Sequence, residues 1–312
     1  MKIVVTDPLP FDETHYRRLA ALGTLHAHDD RPKGAADLIA RLEGCEAAVV
    51  GWCHVTREVL EALPKLRFLS LWAAGTNLVD MIAAEDHDVM ISVTKGYADI
   101  AVAEFTLGTM LALTRKIWTA ALRLRDGHND WRPYLGRDLS SLTVGIVGAG
   151  SIGRQVIRLV KAFDADILVT TKHPTAVRAA DLAVDFVDLD ELCERSDIVS
   201  LHMPLNRETE QLLDAARLTR MKPGAFLINT SRGGLVDMEC VLQKLGTDHL
   251  GGAAVDVFDV EPPEIDPAWL ACENLLLTPH IAFNSMEATR RKNELCLGNI
   301  EAFVRGDPVN LA

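Results

Sequence analysis

The sequence is short of several things that would mark a specialised chain. No C-x-x-C pair occurs among its six cysteines, Cys45, Cys53, Cys193, Cys240, Cys272 and Cys296. Neither a zinc site nor a redox motif is therefore indicated, and reduced thiols in a cytoplasmic protein are expected. No uninterrupted apolar run approaches ~18 residues, which argues against a membrane span. The start, Met1-Lys2-Ile3-Val4-Val5, enters a strand-like run without the pattern of a signal peptide. Basic runs are missing too, and the net charge is −12, so a nucleic-acid partner is not expected. What remains is an ordinary globular composition, 48% hydrophobic and 24% charged, over 312 residues. That length favours two domains.

Short β-branched runs alternate with helical patterns. Strands are predicted at 2–6, 47–51, 67–72 and 89–93, and again at 143–147, 166–170, 197–201, 225–229, 252–257 and 274–278. Strands alternating with helices imply parallel sheets with right-handed crossovers. The apolar segment 98–118 predicts one five-turn helix between the two sets, and 123–140 predicts a protruding arm or loop. A tail helix is predicted over 285–305, placed to cross back to the first domain. The fold class is α/β, two Rossmann-like doubly wound parallel-sheet domains separated by a cleft.

The segment from Thr143 to Gly153 contains G-x-G-x-x-G between an apolar strand and a helical pattern. In that context Gly148 permits the tight turn and Gly150 lets the backbone approach a pyrophosphate. Gly153 lets helix and strand pack closely, and the helix start at Ser151 and Ile152 offers free N–H groups. An acidic reader of the ribose 2′-hydroxyl is expected about 20 residues on. The sequence there reads Leu168-Val169-Thr170-Thr171-Lys172-His173, with no acid. Thr171 and Lys172 therefore favour NADP over NAD.

Three further segments follow predicted strands and carry Arg232, Glu261 and His280. The carboxyl ends of parallel strands line a ligand crevice, so these distant residues can converge. A guanidinium can grip a carboxylate and polarise a neighbouring carbonyl. An imidazole can exchange the proton that accompanies hydride transfer, and an adjacent carboxylate favours its protonated form. Asp256 is expected to help hold the nicotinamide end.

The chain resembles the D-isomer-specific 2-hydroxyacid dehydrogenase family over essentially its whole length. The carrying segments are 74–80, 102–107, 144–153, 200–205, 221–237, 254–262 and 278–282. The resemblance implies a catalytic trio of Arg232, Glu261 and His280. It implies substrate-carboxylate binding by backbone amides near Ala74 and Gly75, and cofactor contacts at His202, Pro204, Thr209 and Thr230. It further implies a substrate domain of residues 1–98 plus 285–312 and a dinucleotide domain of 99–284. An arm near 119–140 is expected to form a homodimer.

Departures from subfamily patterns narrow the substrate. Phosphite dehydrogenases carry a lysine where Ala74 stands, formate dehydrogenases a glutamine where Glu261 stands, and phosphoglycerate dehydrogenases an arginine near Leu71-Trp72. A small unphosphorylated 2-oxo acid such as glyoxylate, hydroxypyruvate or pyruvate fits best, with Trp52 and His54 candidates for the pocket wall. No metal is expected. The competing expectation is a nucleotide-sensing, co-repressor-like binding protein on the same fold.

Overall fold

The computed structural model describes residues 1–312. Its contacts divide the chain into two compact units, Met1–Ala98 with Ser285–Ala312, and Asp99–Asn284.

The first unit holds β1 (Lys2–Val5), β2 (Thr24–Ala27), β3 (Ala47–Val50), β4 (Phe68–Leu71) and β5 (Met90–Ser92) in one sheet, ordered β2-β1-β3-β4-β5 and parallel throughout. Ile3, Val5, Ala47, Val49 and Phe68 face one core, shared with Leu297 and Ile300 of the tail helix Met286–Val304. Val4, Ala48, Val50 and Leu69 face the other, against Leu38, Leu42, Val59 and Leu60. Alternate residues of each strand thus feed opposite layers, which is why the strands read as unbroken apolar runs. β2 escapes sequence prediction because Thr24-Leu25-His26-Ala27 is an edge strand, mostly exposed and without an apolar pattern.

The second unit holds seven parallel strands: β6 (Thr143–Val147), β7 (Asp166–Thr170), β8 (Asp185–Phe186), β9 (Ile198–Leu201), β10 (Ala225–Asn229), β11 (Leu250–Val255) and β12 (Leu275–Leu277). Their order is β12-β11-β10-β9-β6-β7-β8, reversing direction between β6 and β9. That reversal is the switch point where doubly wound sheets open a crevice at their carboxyl edge.

The single helix expected over 98–118 is two. Asp99–Thr114 ends at a turn in which Lys116 takes φ 52°, and Ile117–Arg125 follows. A lysine in the left-handed region carries no sequence signal of a break. The expected arm is therefore helical up to Arg125, then a loop with short 3₁₀ turns at Arg132–Tyr134 and Leu139–Ser141. No helix is long and apolar enough to cross a membrane.

Candidate active site

The glycine loop follows β6 directly. Gly148 has φ 104°, and a Cβ there would lie 2.4 Å from the His202 carbonyl oxygen. A Cβ on Gly153 would lie 1.9 Å from the Gly148 carbonyl oxygen, so only glycine lets the helix Ser151–Lys161 start against the strand. In front of Gly150 nothing lies within 4 Å of a built Cβ. Gly150 is the N-cap of that helix and supplies no side-chain hydrogen bond, whereas Asp12, Asp188, Asp214, Asp237 and Ser285 cap theirs. The N–H groups at Ser151 and Ile152 are thus unclaimed by a side chain beside open space. This arrangement fits the pyrophosphate of a nicotinamide dinucleotide.

Three of the residues expected at the cofactor are buried and bond to neighbouring parts of the protein. His202 is buried, its Nε2 lies 2.9 Å from Ser200 Oγ, and burial pushes its pKa down to about 3, so the ring is neutral. Thr209 Oγ1 donates to the Pro204 carbonyl at 2.7 Å and accepts from the Asn206 amide at 2.8 Å, bracing the exposed loop after β9. Thr230, at the exit of β10, pairs with Thr106 through their hydroxyls at 3.0 Å.

Beyond β7, Thr171 is half-buried and Lys172 is exposed, its Nζ 2.6 Å from Glu208 Oε2. A different cation reaches the glycine loop. Arg178 Nη2 donates to the Ala149 carbonyl at 3.0 Å and Nη1 to the His173 carbonyl at 2.8 Å, while its buried Nε has no partner. Arg154 Nε donates to the same Ala149 oxygen at 3.3 Å. Sequence reasoning missed Arg178 because it lies eight residues past the end of β7, in the helix behind the cap Thr175. A basic residue at the start of the helix after β7 was the available signal.

Arg232, Glu261 and His280 follow β10, β11 and β12, three strands adjacent in the sheet. Gly233 makes the approach of the first two loops possible, since a Cβ there would sit 2.3 Å from the Phe258 carbonyl carbon. Arg232 is exposed, with Nη1 donating to the Ser231 carbonyl at 2.6 Å. Glu261 Oε2 lies 2.6 Å from His280 Nδ1, and Oε1 accepts the Phe258 amide at 3.0 Å. Both side chains are about one-third exposed, at 34% and 38%, so solutes can reach the pair.

Asp256 does more for the protein loop than its sequence position suggests. Its Oδ1 accepts from Thr278 Oγ1 at 2.6 Å and from the Ile281 amide at 2.8 Å, and Oδ2 accepts from the Ala282 amide at 2.8 Å. Almost wholly buried at the exit of β11, it holds both sides of His280, whose backbone takes φ 53°. Such charge-assisted bonds from a buried carboxylate are strong enough to fix a loop in a left-handed turn.

In the first unit, Ala74 is exposed and Gly75 half-buried in the turn after β4, and the Ala73 carbonyl accepts from the Thr94 amide at 2.8 Å. Trp52 follows β3, 42% exposed, with its ring edge-on to Trp72 at 5.3 Å. His54 is exposed.

Residues 107–282 match the family model described as the D-isomer specific 2-hydroxyacid dehydrogenase, NAD binding domain. The chain is 35% identical to a glyoxylate reductase of Thermofilum pendens, over 98% of this chain and 92% of that one. It is 34% identical to the solved structure of the TT0316 protein of Thermus thermophilus, with a TM-score of 0.90 and full coverage of both chains. The solved structure of an acyclic imino acid reductase, Bsp5, in complex with NADPH and D-Arg is 29% identical, with a TM-score of 0.89 over both full chains. A glycine loop at the switch point of a seven-stranded parallel sheet accords with these likenesses, and the chain belongs to the D-isomer specific 2-hydroxyacid dehydrogenase family.

Proposed function

We propose that this chain interconverts small unphosphorylated 2-oxo acids and their D-2-hydroxy acids, with glyoxylate, hydroxypyruvate and pyruvate as the substrate class. The observation that carries the reading is the Glu261–His280 pair at 2.6 Å beside the Arg232 loop. Glu261 accepts a hydrogen bond from Nδ1–H, which leaves Nε2 for proton exchange with the substrate oxygen. Arg232 pairs with the substrate carboxylate and draws charge from the adjacent carbonyl. Backbone amides at Ala74 and Gly75 are assigned to the same carboxylate, and the first unit to substrate binding. The nicotinamide supplies the hydride in reduction and accepts it in oxidation.

NADP(H) is proposed to serve at least as well as NAD(H). Support comes from the lack of a carboxylate at the end of β7, where Thr171 stands, and from Arg178 at the glycine loop. The pairing of Lys172 with Glu208 moves the weight of that reading from Lys172 to Arg178. A homodimer through the arm is supported by Leu124, Trp131 and Leu135, which are 62%, 81% and 86% exposed. The six free thiols fit a reducing, cytoplasmic setting. An assembled proton-transfer pair favours this enzyme over a co-repressor-like binding protein.

The test is the loss of reduced-nicotinamide absorbance with NADPH and with NADH, across glyoxylate, hydroxypyruvate and pyruvate. Turnover of at least one acid, giving the D-product, is the expected result. Tight cofactor binding without turnover on any acid would favour the binding-protein reading.

A further inference from the structure

One cavity of the first unit is walled by cations, although the chain as a whole carries a charge of −12. It has a volume of about 720 Å³, within the range of small-molecule sites. Lys95, Arg290, Arg291 and Arg305 line it, with Glu294 the only carboxylate among the lining residues. That carboxylate is already engaged, by Arg18 Nη1 at 2.7 Å. Arg291 uses Nε to donate to the Tyr97 carbonyl at 2.8 Å, leaving its terminal nitrogens for another acceptor. Lys95, Arg290 and Arg305 are exposed and have no acidic partner in the chain. Between these cations the wall is apolar, formed by Leu295, Ala302 and Val309.

Cations gathered around one concavity repel each other until an anion enters, and concave walls focus their field. An apolar wall adds affinity for a ligand with a hydrophobic body. We propose that this cavity binds an organic phosphate: an anion of about two negative charges on an aromatic body. The guanidinium groups of Arg290, Arg291 and Arg305 hold the phosphate, and the apolar wall holds the ring. The placement gives such a ligand a purpose. Lys95–Tyr97 immediately precede the point where the chain leaves this unit, at Ala98, and the tail helix begins where it returns, after Ser285. A ligand touching both segments ties the two crossing points together from within the unit. None of these residues belongs to the proposed hydride-transfer site, so the proposal stands apart from that reading.

The experiment is calorimetric titration of the full chain with 1-naphthyl phosphate, with NAD in excess to fill the glycine loop, because NADP carries a dianionic phosphate monoester of the class proposed here. Saturable binding is expected, and at least ~tenfold weaker binding of 1-naphthol, which lacks the charge. R290E/R305E should weaken binding of the phosphate by at least ~tenfold. R290Q/R305Q, which only neutralises the two positions, should weaken it in the same sense. Arg232→Ala should leave the affinity unchanged. Equal affinity in wild type and both double variants, or loss of binding in Arg232→Ala, would overturn the assignment. So would the absence of saturable binding up to about 10 mM ligand.

Discussion

Glu261 grips His280 and its own loop at once: Oε2 lies 2.6 Å from Nδ1 of the imidazole, and Oε1 accepts the Phe258 amide at 3.0 Å. The carboxylate is therefore fixed before it orients the ring. Removing either partner should have separable effects. His280→Ala removes the proposed proton carrier and should lower kcat by at least ~10²-fold while cofactor still binds. Glu261→Gln keeps a hydrogen bond but loses the charge. It should cost about tenfold or more in kcat and move the pH profile of kcat/KM. Near-normal turnover by His280→Ala would sink the assignment.

Arg232 is exposed and tied to the chain chiefly through the Ser231 carbonyl, so its fork is free to meet a planar carboxylate. A lysine offers one point charge where the guanidinium offers two parallel donors. Arg232→Lys should raise KM and lower kcat together in steady-state assays with a 2-oxo acid. A change confined to cofactor affinity would place Arg232 elsewhere.

On the proposed reading, the region after β7 separates the two nicotinamide cofactors. Arg178→Met should weaken NADPH binding by about tenfold or more and NADH binding far less, because one charge-assisted contact is worth ~1.5–3 kcal/mol. Thr171→Asp should reverse the preference by repelling a 2′-phosphate. Quenching of nicotinamide fluorescence gives both affinities without turnover. Equal losses for the two cofactors in Arg178→Met would assign Arg178 to the loop alone.

Lys292 of the tail helix is buried with its Nζ 3.5 Å from the Trp72 ring centre and 4.6 Å from that of Tyr97. Burial pushes its pKa down to about 8. The unfolded chain keeps that proton up to about pH 10.4, so between these values it binds more protons than the folded chain. Stability from this group should therefore rise with pH across that window. Compared with Lys292→Met, the wild type should gain up to about 3 kcal/mol between pH 7 and 10. Urea unfolding at several pH values would measure it, and a constant difference would show that the ammonium is not desolvated.

The sequence announces those parts of the site that sheet topology alone dictates. Residues at the exits of β10, β11 and β12 meet because those strands are neighbours, and the glycine spacing after β6 is itself a backbone requirement. Side-chain partnerships are harder to read. Asp256 reads as an acid near the nicotinamide end, and its three donors, all beyond β12, add a structural role that the sequence does not show. Lys172 reads as a free cation, although Glu208 from another loop neutralises it. His202 reads as polar but sits where burial keeps it neutral. Each depends on a neighbour remote in sequence, and hydrophobic periodicity carries no trace of it. The break at Lys116 is hidden for the opposite reason, since a local backbone choice there goes against residue preference.

The left-handed backbone at His280 means that this position is maintained against the chain's own thermodynamic interest. An L-residue with a side chain pays roughly 1–2 kcal/mol there that glycine does not. His280→Gly and His280→Ala both lose the ring, yet the glycine variant should melt at the higher temperature. Equal melting temperatures would mean that the loop relaxes once the ring is gone. The position thus sets backbone ease against the proposed proton transfer, and among variants that have lost the ring a screen for heat resistance alone would favour glycine over alanine at this one codon.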